Sequence, residues 1–143
     1  MEFDKKQREI KLPRTVQKDW LDFTILIAED NFTCYLYLEF LLKDKVKRID
    51  HAVNGEEALE LALKKNYDLI LMDIKMPVMD GIEATKRIKQ QFPDIPVIAQ
   101  TAYVTPSAKT ETLQAGCDDY IAKPIKKALL LETINRVMNK TVS

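Results

Sequence analysis

Asp73 closes the one unbroken apolar run of this chain that reads as a buried strand, Leu69-Ile70-Leu71-Met72. The turn-forming segment Lys75-Met76-Pro77-Val78-Met79-Asp80-Gly81 follows it. A second run, Thr24-Ile25-Leu26-Ile27-Ala28, also ends in acid, at Glu29 and Asp30. Carboxylates delivered to one edge by two strands form a small acidic pocket of the kind that holds a divalent cation through oxygen ligands. Two further strand-like runs lead to Thr101, a hydroxyl, and to Lys123, an ammonium. Singly, each is commonplace: a strand-end carboxylate usually serves a turn or a cap, and a terminal lysine is usually a solvated charge. Together they are the parts for phosphoryl transfer, with acids for a hard cation and two donors for phosphoryl oxygens.

These groups meet only if the elements between them alternate. The strand at 24–28 is followed by a helix near 32–43 that carries Tyr35, Leu38, Leu41 and Leu42, then by a weaker strand near 46–52. Asn54 opens a helix through about Lys65, with Glu57 in the capping-box position and Ala58, Leu61 and Ala62 at helical spacing. A strand at 68–73, a loop and a helix near 82–91 come next, then a fourth strand at 96–101. Thr105 and Pro106 suit the cap and first position of a helix that Gly116 ends. Asp119-Tyr120-Ile121-Ala122 is a short fifth strand, and a last helix from about Lys127 to Asn139 buries Leu130, Ile134, Val137 and Met138. Lys126 and Lys127 leave the start of that helix without a good N-cap. Five βα units with short loops predict an α/β fold: a flavodoxin-like, doubly wound, five-stranded parallel sheet of order 2-1-3-4-5 with five helices. Residues 1–22, polar and broken by Pro13, read as a linker or tail pinned by Trp20 and Phe23 onto a domain over 23–140, with 141–143 as a short C-terminal tail.

At 143 residues, with 46% hydrophobic and 31% charged side chains, the chain has the size and balance of one ordinary globular domain. Lys+Arg and Asp+Glu are equal at 22 each, so no net field favours nucleic acid or an anionic membrane. No run approaches the roughly 18 apolar residues of a membrane span, and the start of the chain lacks a secretion signal, which points to the cytoplasm. Cys34, Cys117 and His51 offer no metal-ligand spacing. The thiols read as reduced and at least partly buried, and the histidine as structural or at the surface.

Four segments, Ile27-Ala28-Glu29-Asp30-Asn31, Leu71 to Gly81, Thr101-Ala102 and Lys123-Pro124, resemble the receiver domain of two-component response regulators. The likeness runs in order and at family spacing over about residues 23–140. It implies that Asp73 accepts a phosphoryl group from a partner's phosphohistidine as an acyl phosphate. It further implies Mg2+ held by Asp30, Asp73 and the backbone carbonyl of Lys75, with Glu29 acting chiefly through bound water. Lys123 would pair with one phosphoryl oxygen and Thr101 with another. In the family the threonine then moves toward the phosphoryl group and an aromatic residue of the fifth strand turns inward. Tyr120 matches that aromatic position and reads equally as a half-buried strand tyrosine. A cis Lys123–Pro124 peptide is implied as well. Lys75 and Tyr103 stand where family members screen the phosphoryl group from water. A lysine with a bulky aromatic is not the commonest pair there, so the phosphoryl lifetime stays open.

The partners implied are a histidine kinase dimerisation domain or a histidine phosphotransfer protein, with no direct contact to nucleic acid or membrane. The face made by the fourth helix, fifth strand and fifth helix suits docking or homodimerisation. Only Thr141-Val142-Ser143 follow Lys140, so no DNA-binding output domain is expected, and the chain carries no kinase motif of its own. It would nevertheless catalyse its own phosphorylation and dephosphorylation. The polar leader ending in Lys18-Asp19-Trp20-Leu21-Asp22 favours the receiver of a hybrid sensor histidine kinase over a stand-alone regulator. Two rivals remain. A phosphohydrolase of the haloacid dehalogenase type would need a second aspartate where Lys75 stands. A degenerate receiver would have lost an acid or the lysine, and all are present.

Overall fold

A computed structural model describes residues 19–102 and 105–140. Its elements, in chain order, are β1 (Thr24–Ala28), α1 (Phe32–Leu42), β2 (Arg48–Ala52), α2 (Gly55–Lys64), β3 (Leu69–Asp73), α3 (Gly81–Gln91), β4 (Val97–Thr101), α4 (Pro106–Gln114), β5 (Asp119–Ala122) and α5 (Lys127–Lys140). The strands are parallel and ordered β2-β1-β3-β4-β5, as the alternating pattern predicts. The expected tails lie mostly outside the described residues. Trp20–Asp22 form a 3-10 turn, and Trp20 stacks at 6.2 Å on Phe23, which is buried.

Strand alternation divides the core. Ile25, Ile27, Leu69, Leu71, Ile98 and Ile121 point to one face, where α1 brings Tyr35, Leu38 and Leu42 and α5 brings Leu130, Ile134 and Val137. Leu26, Ala28, Ile70, Met72, Val97 and Ala99 point to the other, against Ala58 and Ala62 of α2 and Ala84 and Ile88 of α3. Every residue of β3 and β4 is therefore buried, which is why both read as continuous runs. The edge strand β2 is half exposed, and its Arg48–Asp50 ion pair at 3.0 Å faces the rim. That polar content makes its sequence signal the weakest of the five, and the strand starts at Arg48 rather than near 46.

Local chemistry fixes the ends. Asn31, Asn54, Asp80 and Thr105 each accept a backbone N–H from three residues on, at 3.0, 2.8, 2.9 and 3.2 Å. Glu57 returns its carboxylate to the Val53 N–H at 3.0 Å, one residue before the cap where a standard box would place it. Gly116 ends α4 with φ +111, a backbone region that a Cβ disfavours. Asp68 and Asp118 sit at the opposite sheet edge from Asp73 and accept the first N–H groups of β1 and β4 at 2.9 and 2.8 Å. Among the described residues no helix is long and apolar enough to cross a membrane.

The start of α3 lies directly against the end of β3. Gly81 donates its N–H to the Ile74 carbonyl at 2.9 Å, and a Cβ on Gly81 would run into the Asp73 carbonyl. Gly81→Ala is expected to destabilise the fold by about 1–3 kcal/mol, as backbone overpacking does. Urea unfolding checks this, and a loss below about 0.5 kcal/mol would mean that the helix start is not locked to the strand end.

Candidate functional site

Parallel pairing in the register Ala28↔Met72 makes the next residues of β1 and β3, Glu29 and Asp73, leave the sheet side by side. Glu29 is fully buried, Asp73 is 4% exposed, and Asp30 stands at the solvent rim. Carboxylate oxygens of these three residues lie within 4.8 Å of one another. The main chain holds Glu29 in place: its N–H donates to the Ala52 carbonyl at 2.9 Å, and its Oε2 accepts the Asn31 N–H at 3.1 Å. His51 Nε2 lies 2.8 Å from the Glu29 carbonyl oxygen, and its ring stacks on Tyr35 at 3.7 Å. The histidine is structural, as expected, and what it supports is the main chain of the acid pair.

Lys123 closes the site from the far strand. Its N–H continues the ladder to the Thr101 carbonyl at 2.8 Å, and its Nζ lies 3.0 Å from Glu29 Oε1 and 3.1 Å from Asp73 Oδ1. The Lys123–Pro124 bond is cis, as the resemblance implies. Burial works against the Lys123 ammonium, but its hydrogen bonds to Glu29 and Asp73 hold its pKa above the ordinary lysine value. Burial first, and the charge of Glu29 second, push the Asp73 carboxyl up to about 7 against the pull of Lys123.

Thr101 is buried at the end of β4, and alternation sets it with Val97 and Ala99 on the α2–α3 face. Half-buried Tyr120 lies on that same face, with Ala99↔Tyr120 and Thr101↔Ala122 in register. The hydroxyl and the ring are therefore near neighbours on adjacent strands. Lys109 of α4 holds its ammonium 5.4 Å above the Tyr120 ring. Lys75 is exposed two residues after Asp73, and Tyr103 lies outside the described residues. Beyond Lys75 the Met79 N–H donates to the Pro77 carbonyl at 2.7 Å around Val78, whose φ is +69. This is a γ-turn in a region that β-branched residues avoid, so the loop beside the acids is strained.

Sequence reasoning thus identified the acids and the lysine that the fold brings together. It missed two supports of Glu29: the Asn31 N–H two residues on, and His51, which no local signal marks. It also passed over Gln100, whose visible signal is a carboxamide inside an apolar strand. The donor set fits magnesium. Three carboxylates within 4.8 Å can surround a cation bound at roughly 2.0–2.1 Å, whose opposite ligands stand about 4.1 Å apart. Cys34 is half-buried and Cys117 buried, and burial pushes the Cys117 thiol up to about 11, as suits unreactive reduced cysteines.

Residues 25–135 match the response regulator receiver domain family. The signal transduction histidine-protein kinase BarA of Escherichia coli is 38% identical over 131 residues, which cover 90% of this chain and 14% of that protein. The transcriptional regulatory protein ZraR of Klebsiella oxytoca is 38% identical over 117 residues, which cover 82% of this chain and 26% of that protein. The chain thus spans about a quarter or less of the length of these curated relatives. Among solved structures, the receiver domain of the sensor histidine kinase PA1611 from Pseudomonas aeruginosa superposes with a TM-score of 0.75 at 34% identity, over 82% of this chain and 98% of that one. That structure has a magnesium ion coordinated in its active-site cleft.

The raised Asp73 pKa has a consequence for stability. Its folded carboxyl binds a proton more tightly than the unfolded one, so stability falls as pH rises from about 4 to about 7 and the penalty is complete above that. In the presence of a chelator, Asp73→Asn is expected to raise the thermal midpoint by a few degrees at pH 8. The gain should shrink toward nothing at pH 5, where the native carboxyl is already neutral. Calorimetry at the two pH values checks this, and an equal gain at both would remove the electrostatic explanation.

Proposed function

The chain belongs to the response regulator receiver domain family of two-component systems, and we propose that Asp73 is its phosphoacceptor. In the transfer, an Asp73 carboxylate oxygen attacks the phosphorus of a partner's phosphohistidine. The new O–P bond forms as the N–P bond breaks, and the electron pair returns to the imidazole nitrogen. The observation that carries this reading is the Lys123 ammonium seated between Glu29 and Asp73 in a buried notch. Two anions approach each other there, so the site must supply positive charge. Magnesium, held by Asp30, Asp73 and the Lys75 carbonyl with Glu29 acting through water, would supply the rest by neutralising charge on the phosphoryl oxygens. Lys123 then meets one phosphoryl oxygen and Thr101 another. Thr101 and Tyr120 form the switch, since they share a face and the hydroxyl can vacate space for the ring.

Similarity extends to hybrid kinases and to transcriptional regulators alike. Of the two settings we favour a hybrid sensor histidine kinase in the cytoplasm, because the polar leader suits a tether; a stand-alone regulator is the alternative. A phosphohydrolase is disfavoured by Lys75 at the position of the needed second acid. For the phosphohistidine partner, α1 offers a surface beside the site: Phe32 is 61%, Leu36 43% and Phe40 69% exposed, and they recur four residues apart on one side of the helix.

With Mg2+ and a small phosphodonor, intact mass measurement should show one added phosphoryl group that hydroxylamine removes and that Asp73→Asn lacks. Retention of the mass gain in that variant would reject Asp73. Leu36→Asp is expected to slow transfer from a phosphohistidine protein about tenfold or more, as loss of an interface anchor does. It should leave loading from the small donor unchanged. Equal slowing of both would show that α1 supports the fold rather than the partner.

A further inference from the structure

Gln100 is a carboxamide within the strand Val97–Thr101, and it is 2% exposed. Among the described residues neither its Oε1 nor its Nε2 has a hydrogen-bond partner. A buried amide with both ends unpaired is rare, because each end has given up water for nothing. Its location is informative. The register Asp73↔Gln100↔Ile121 puts these three residues in one row across β3, β4 and β5. Leu71, Ile98 and Ile121 show which face that row points to, so Gln100 shares the face of Asp73.

Lys123 reaches this face from beyond the end of β5. Neighbouring strands are about 4.8 Å apart, so its stem must pass over β4 to bring Nζ to Asp73 on β3 and Glu29 beyond β1. It starts two residues past Ile121, the register partner of Gln100, and so comes in from the outer end of that row. Asp73 Oδ1 takes its hydrogen bond from Lys123 at 3.1 Å. Once that ammonium moves out to a phosphoryl oxygen, the buried carboxyl oxygen loses its donor. The neighbouring amide in the same row has a donor to give.

We propose that Gln100 is a positioning residue for phosphoryl transfer: its Nε2–H replaces Lys123 as the donor to the Asp73 carboxyl oxygen when Lys123 turns to the phosphoryl group. The proposal rests on the reading of Asp73 as phosphoacceptor. The amide is unsatisfied in the state with Lys123 drawn inward and satisfied in the loaded state, so it biases the site toward loading.

The test compares the native chain with Gln100→Met, which keeps the volume and removes both polar atoms, and with Gln100→Leu as a second apolar variant. Thermal midpoints are taken in chelator alone and with Mg2+ plus beryllium fluoride, a phosphoryl mimic, and loading from a small phosphodonor is followed by mass. Two shifts of opposite sign are expected. The midpoint in chelator rises by a few degrees, while the further rise on adding beryllium fluoride shrinks and loading slows about tenfold. A purely structural glutamine would lower the first midpoint and leave the second increment alone. An unchanged or lower midpoint in chelator, an undiminished increment, or failure of both variants to fold overturns the proposal. If the native chain itself neither loads nor responds to the mimic, the reading of Asp73 fails, and its own arm of the experiment shows that separately.

Discussion

The Lys123 ammonium lies 3.0 Å from Glu29 and 3.1 Å from Asp73, and it has to be delivered there from the far side of the sheet. Two like charges 4–5 Å apart repel by roughly 3–4 kcal/mol at an effective dielectric near 20, before the cost of burying either is counted. One carboxylate here is fully buried and the other nearly so, with a third within 4.8 Å at the rim. Lys123 and the Asn31 N–H offset part of this repulsion. Three acids against one ammonium still leave the notch negative. That residual charge is what a dication would relieve, so the fold carries a local instability that a bound cation would offset.

The strand order explains why such a notch can exist. β1 and β3 are neighbours in the sheet, but the chain leaves β1 for α1 on one face and β3 for α3 on the other. The two loops part and leave a crevice at the carboxyl edge. The remaining loops narrow it. Gly81 presses the start of α3 onto the end of β3, and the γ-turn at Val78 folds the intervening chain outward. Acids at the opposite edge have other work: Asp68 and Asp118 cap strand starts and have no part in the crevice.

The legibility of the sequence follows from which forces are local. Leu69–Asp73 and Val97–Thr101 are buried on both faces, so burial wrote an apolar run that needs no partner to be recognised. Asn54, Thr105 and Gly116 mark helix ends through bonds or backbone geometry spanning a few residues. Arg48–Ala52 pairs on one side only and tolerates polar side chains, which blurs its start. The site acids could be read because each terminates an apolar run. What the sequence hides is support from distant segments. His51 beneath the Glu29 carbonyl, 22 residues away in the chain, has no spacing that announces it. Gln100 is visible as a polar residue in an apolar strand, but its unpaired state depends on neighbours contributed by β3 and β5.

A change at the notch travels where the contacts that resist it are weakest. β3 is held on every side by buried apolar neighbours, and moving it would expose them. β5 is fastened differently. Only Ile121 of its four residues is fully buried, and beyond its ladder to β4 its side-chain ties are exposed or partial: Lys109 over the Tyr120 ring at 5.4 Å and Arg136 to Asp119 at 2.7 Å. Exposed ion pairs and cation–π contacts contribute roughly 0–1 kcal/mol each, far less than a core side chain. Lys123 hangs from the end of this strand, and its ladder bond to Thr101 joins it to β4. Drawing its ammonium away from the acids therefore pulls on a thinly anchored edge of the sheet, between α4 and α5. Displacement there costs little, whereas displacement of β3 would cost the core, so the α4–β5–α5 face is where the fold can yield.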